Sequence, residues 1–233
     1  MESLLILERI YQTDNRARKM LNHEQQTIQI PINSISVEGI LTVPKNHTGS
    51  LVIFVHGSGS SRNSPRNDYV SKCLNKAGLS TLLFDLLTEK EDEIYENRFD
   101  IPLLVERIKV ATTWVKNHPE LKDFSVGYFG ASTGAATAIE AAADADLGIK
   151  AVVSRGGRPD LAENYLSKIS SPTLLIVGGN DDAVIDLNKS AFEKISAKKE
   201  LSIVPGATHL FEEPGALEKV CELSSSWFQK YLT

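Results

Sequence analysis

A short β-type run, Phe124-Ser125-Val126-Gly127-Tyr128-Phe129, stops at Gly130-Ala131-Ser132-Thr133-Gly134 and gives way at once to alanine-rich Ala135–Ala143. Strong helix formers without a breaker make the second stretch a helix. The chain must therefore pass from strand to helix across five residues. A turn that sharp holds its central residue, Ser132, in strained backbone. Side chains two positions to either side would collide, so glycine stands at 130 and 134. No other feature constrains the fold as strongly, because a strand feeding directly into a helix is the opening of a βα unit, and such units build parallel sheets.

The rest of the chain has the same rhythm. Thr27–Ile32 and Ile35–Val43 alternate with period two and read as a hairpin, with Asn33-Ser34 at its turn and Pro44 closing it. Leu51–Val55 is a continuous apolar run, the mark of a strand buried on both faces. Helix then alternates with strand: helix Asp68–Ala77 stopped by Gly78, strand Thr81–Phe84, helix Asp100–Lys116, the turn at Ser132, strand Ala151–Val153 and a helix near Asp160–Ile169. Strand Thr173–Val177, helix Leu187–Ala197, strand Leu201–Val204 and helix Gly215–Tyr231 complete it. The expectation is an α/β protein, an eight-stranded, mostly parallel sheet with helices on both faces and an antiparallel edge. Residues 1–24 fall outside this pattern and are expected to form an N-terminal extension, a loose helix or tail, before a single domain over residues 25–233.

In an open parallel sheet, ligands bind at the carboxyl ends of the strands. Four loops leaving those ends carry the groups that acyl transfer needs. Ser132 follows the fifth strand, Asp181 the seventh, His209 the eighth, and His56-Gly57-Ser58-Gly59 the third. A serine hydroxyl is a weak nucleophile at neutral pH and requires a base, here His209, with a carboxylate to fix the imidazole tautomer. Asp181 is the expected carboxylate, with Asp182 its immediate competitor, while Asp186 could cap the following helix. The developing oxyanion needs backbone donors. The amides of Thr133 and of Ser58, with Gly59 as an alternative, are placed to supply them. His56 is read as a structural brace for that turn.

With these residues in view, the chain from about residue 26 onward resembles the α/β-hydrolases, close to the small branch without a cap domain that includes dienelactone hydrolase-like proteins. The His56-Gly57 turn, the Gly-x-Ser-x-Gly elbow, the Asp181-x-x-Val184 loop and the Gly206-x-x-His209 loop carry the likeness. Dienelactone hydrolases proper have cysteine at the elbow where this chain has Ser132. The resemblance therefore implies a serine hydrolase acting on small carboxylic esters, thioesters or lactones rather than dienelactone chemistry itself. Acyl transfer to another acceptor, amide hydrolysis on the same fold, or a non-catalytic binding scaffold are the competing readings.

Arginines at the same edge bear on the substrate. Arg155 and Arg158 lie in Ser154-Arg155-Gly156-Gly157-Arg158-Pro159 after the sixth strand, and Arg62 and Arg66 follow the third. Either they pair with Asp68, Asp160 or Glu163, or Arg155, Arg158 and Arg62 form a cationic rim for a carboxylate or phosphate on the substrate. The loop Leu86–Phe99 is long enough to fold over the site, and within it Glu89-Lys90-Glu91-Asp92-Glu93 reads as a solvated acidic stretch. The expected partner is a small-molecule ester, with no cofactor and no metal required. A formal net charge of −5 without a basic stripe argues against nucleic acid as a partner. Two cysteines, Cys73 and Cys221, each sit on an apolar helical stripe and read as core residues, which with the lack of a membrane-length apolar run makes a cytoplasmic setting the expectation.

Overall fold

The computed structural model describes residues 25–233, so the N-terminal extension lies outside the described residues. The hairpin forms as strands β1 (Gln25–Ile32) and β2 (Ile35–Thr42), with Asn33 at φ 51° in its turn. Then follow β3 (Ser50–Val55), β4 (Ser80–Phe84), β5 (Ser125–Ala131), β6 (Ala151–Arg155), β7 (Thr173–Gly178) and β8 (Lys199–Val204). They make one eight-stranded sheet in the order β1-β2-β4-β3-β5-β6-β7-β8. Only the β1–β2 and β2–β4 pairs are antiparallel.

The helices are α1 (Pro65–Lys76), the single turn α2 (Glu89–Asp92), α3 (Ile101–Asn117), α4 (Thr133–Ala142), α5 (Asp182–Lys194) and α6 (Ala216–Leu232). The central strands are buried on both faces, so their side chains divide by parity between two cores. Leu51, Ile53, Val55, Val152 and Leu175 face the core closed by α3 and α4. Val52, Phe54, Val153, Leu174 and Ile176 face the core closed by α1 and α6. Every residue of helix α4 except Glu140 is buried, as its alanine content allows. Among the described residues, no cap domain rises above the sheet. Among the described residues, no helix is long and apolar enough to cross a membrane.

Three local expectations change. Helix α1 begins at Pro65, three residues before the apolar spacing suggested, because Ser64 caps it and proline is preorganised for the first turn. Helix α5 likewise starts at Asp182, which puts Asp186 inside the helix and leaves it no capping role. The segment after β6 is a 3-10 stretch, Pro159–Tyr165, kinked at Ala162, which turns Ala162 and Leu166 into the α4-side core instead of continuing as a helix.

The loop after β4 is more ordered than a solvated acidic stretch. Thr88 and Glu91 form a reciprocal capping box around α2. Glu91 also accepts from Arg107 on α3 at 2.6 Å, and the Arg107 side chain is only 8% exposed. Partial burial pushes the Glu91 carboxyl up, but the Thr88 donors and the Arg107 charge prevail and hold it below its ordinary value. Glu91→Gln strips the charge from the partner of a buried guanidinium, so unfolding in urea at pH 7 should show a loss of about 1–3 kcal/mol. The wild-type advantage should vanish as pH falls through the depressed carboxyl value, where the native glutamate is itself protonated.

Candidate active site

The turn at Ser132 has the geometry its glycines foretell. Ser132 sits at φ 52°, ψ −123°, between the end of β5 and the first residue of α4. A Cβ on Gly130 would lie 2.5 Å from the Ala135 Cα, and one on Gly134 would lie 2.3 Å from the Val55 carbonyl oxygen. Helix α4 therefore presses directly on the end of β3. Gly57 completes the contact, since a Cβ there would fall 2.9 Å from the Ser132 Cβ. The Ser132 amide donates to the Arg155 carbonyl at 3.2 Å, tying the turn to β6.

The three residues expected to act together are brought together. His209 Nδ1 lies 2.7 Å from Asp181 Oδ2, and His209 Nε2 lies 3.3 Å from Ser132 Oγ. A proton on Nδ1, donated to the carboxylate, leaves Nε2 free to accept from the serine hydroxyl. Asp181 precedes α5 and its side chain caps nothing there, which leaves the carboxylate to the histidine. Asp182, the competitor, is the exposed first residue of that helix. Asp181→Asn should therefore lower any Ser132-dependent turnover by about 10³–10⁴-fold, the scale of losing the tautomer-fixing carboxylate, while Asp182→Asn should stay within about threefold. Steady-state rates on a p-nitrophenyl ester distinguish the two.

At the third strand, the Ser58 amide donates to the Thr133 hydroxyl at 2.9 Å, so the two residues expected to supply oxyanion donors are bonded to each other. Thr133 opens α4, and its own amide has no carbonyl one turn back to bind. His56 fixes the turn from behind. Its Nδ1 lies 3.0 Å from the Gly57 carbonyl, and its Nε2 accepts from the Leu86 amide at 3.1 Å. That pattern requires the neutral ring with its proton on Nδ1.

Burial lowers the His56 pKa from 6.5, outweighing the Gly57 bond and the nearby Asp85 and Asp92 charges. His118 is shifted in the same direction by burial. For both, the unfolded chain binds protons first as pH falls, so stability is full above about pH 6.5 and drops progressively below it. Urea unfolding between pH 7.5 and 5 should show this acid limb, made shallower but not abolished by His56→Gln.

The arginines part company. Arg62 bridges Asp85 and Glu38. Arg158 forms a two-pronged pair with Asp160. Arg66 reaches the exposed Glu212 at 2.7 Å. Arg155 is buried and has no carboxylate among its hydrogen-bond partners in the described residues; one Nη donates to the Asn67 side chain at 3.2 Å. A rim made of all three expected arginines is thus not what the fold presents, because two of them are already neutralised. Sequence reasoning gave Asn67 no role, and nothing in its spacing on α1 would have revealed one.

The family model described as the dienelactone hydrolase family matches residues 38–232, and the chain belongs to that family. A dienelactone hydrolase of Anabaena variabilis is 49% identical, with a TM-score of 0.86 over 91% of this chain and all of that one. An alpha-beta serine hydrolase homologue from Coxiella burnetii shares the fold at 22% identity, with a TM-score of 0.73 over 86% of this chain and 96% of that one. Two Mycobacterium tuberculosis proteins, named as candidate phosphoribosyl transferases, are 52% identical over 207 residues. Those residues are 89% of this chain but 46% of each relative, so the chain spans about half the length of the curated relatives it matches. Family and fold are those of hydrolases of the α/β-hydrolase type.

Proposed function

We propose that this chain is a serine hydrolase that cleaves small carboxylic esters, thioesters or lactones through an acyl-enzyme. The observation that carries the reading is the relay from Ser132 Oγ through the His209 ring to Asp181, built on a serine held at φ 52°. A strained backbone at that point persists only where the surrounding structure enforces it, and such strain clusters at functional sites.

In the proposed reaction Ser132 Oγ bonds to the substrate carbonyl carbon as its proton passes to His209 Nε2. The carbonyl oxygen becomes an oxyanion facing the Thr133 and Ser58 amides, each such donor contributing about 3 kcal/mol at the transition state. Collapse breaks the bond to the leaving alkoxide or thiolate, which takes the proton from Nε2. Water then repeats the sequence on the acyl-serine, releasing the acid and restoring the hydroxyl. The ordered loop after β4 and the short link after β6 leave the site without a cap, which favours short, water-soluble esters. The phosphoribosyl transferase name of the mycobacterial relatives stays with those proteins, since ribosyl transfer calls for no activated serine.

Exposure to a fluorophosphonate should place the adduct on Ser132, located by mass spectrometry, and p-nitrophenyl acetate should be turned over. Ser132→Ala should remove both signals. Absence of both labelling and turnover in the wild type would overturn the hydrolase in favour of a binding scaffold.

A further inference from the structure

A single peptide group, the one between Gly157 and Arg158, ties the serine turn to the helix that carries the candidate acid. Its N–H donates to the Ser132 carbonyl at 3.1 Å, and its carbonyl accepts from Asn188 Nδ2 on α5 at 2.9 Å. Among the described residues that carbonyl has no other donor. A trans peptide group is planar, so its N–H and C=O point in opposite directions from one rigid plate. The elbow is bonded to one side of the plate and α5 to the other.

Asn188 is fully buried, and its amide donates a second bond to the Val184 carbonyl one turn back, at 2.8 Å. Both partners are carbonyl oxygens, so the nitrogen and not the oxygen of the amide must face them. Asparagine is a poor helix former, and an amide is costly to bury. Packing alone therefore does not call for it beside the buried Val184 and Ala191. What it adds is the reach across to Gly157.

The consequence lies about two helical turns earlier, where Asp181 caps the same helix. The hydrogen-bond ladder keeps a helix from stretching, so pinning α5 at Asn188 sets how far Asp181 advances toward His209. The segment on the far side of the plate touches the other two residues of the relay. The Arg155 carbonyl accepts from the Ser132 amide, so residues 155–158 hold both backbone polar groups of Ser132. Gly156, at φ 53°, lies against His209: a Cβ there would come 3.2 Å from the His209 carbonyl oxygen and 3.6 Å from its ring Cε1. Gly157 is pressed on α4, where a Cβ would fall 2.6 Å from that of Ala135. The relay has little slack to lose, since His209 Nε2 and Ser132 Oγ are 3.3 Å apart, at the outer edge of hydrogen-bond reach.

We propose that Asn188 is a positioning residue for the relay: through the Gly157–Arg158 peptide it fixes the spacing between Asp181 and the elbow, and with it the alignment of His209 on Ser132. The role rests on the hydrolase reading above and falls to a side chain that touches none of the reacting atoms.

Two substitutions test it. Asn188→Leu removes the donors at similar volume, whereas Asn188→Ser keeps a hydroxyl that can bond the Val184 carbonyl but is too short to reach Gly157. Each should lower kcat on p-nitrophenyl acetate by about 10–100-fold with KM within about twofold, the scale of a misplacement of up to about 1 Å. The loss should disappear in an Asp181→Asn background, where no carboxylate is left to position. There the double variant with Asn188→Ser should match Asp181→Asn alone within about threefold. Losses that multiply, or a kcat within about threefold of wild type in Asn188→Ser, would overturn the role and leave the hydrolase standing. Should Asn188→Leu not fold, Asn188→Ser decides. If wild type turns over no ester, the hydrolase reading fails by itself, and proton NMR decides the positioning. The His209 Nδ1–H, deshielded by Asp181, should be seen in wild type, lost in Asp181→Asn and shifted in Asn188→Ser. Its absence from wild type, or an unchanged position in Asn188→Ser, refutes the role.

Discussion

Everything at the catalytic edge depends on how closely helix α4 approaches the end of strand β3. The Gly134 Cα sits where an added carbon would overlap the Val55 and His56 carbonyl oxygens at 2.3 and 2.4 Å. That approach fixes the strained Ser132 turn from one side and the oxyanion turn from the other. Gly57 closes the remaining gap against the Ser132 side chain. The strain at one residue costs on the order of 1–3 kcal/mol. It is offset by the burial of an almost wholly apolar helix against the sheet, since each buried CH₂ contributes about 0.8 kcal/mol.

Charge at this edge is distributed by reach. Arg62, on a loop, finds Asp85 and Glu38 at the antiparallel side of the sheet. Arg158, one turn beyond β6, curls back on Asp160. Arg155 has no such freedom, because its backbone is locked into β6 between Ala131 and Ile176. A residue held in register within a strand can point only to one face, and on that face stand Asn67 and Phe211.

Most of the architecture could be read from the chain, since buried parallel strands announce themselves as short apolar runs and the elbow glycines by their position. Ser132, Asp181 and His209 were legible for the same reason: each follows a recognisable strand, and strand ends converge. Helix starts were less so. The apolar spacing marks where α1 and α5 meet the core, whereas Ser64 and Asp181 mark where they begin. The pairing of the arginines was opaque, because Glu38 and Glu212 lie far from Arg62 and Arg66 in sequence and only the folded sheet brings them together. The same holds for Glu91, whose surroundings in sequence suggested solvent while Arg107 waits on the neighbouring helix.

The bond between the Ser58 amide and the Thr133 hydroxyl has a bearing on selectivity between states of one substrate. The resting turn leaves this donor satisfied by the Thr133 hydroxyl. A neutral carbonyl offers an exchange of roughly equal worth and has little claim on it. A developing oxyanion, whose hydrogen bonds are about twice as strong, does. In the proposed reaction the hydroxyl would act as a placeholder that yields only to charge, so that binding energy is withheld from the ground state and released as the tetrahedral intermediate forms.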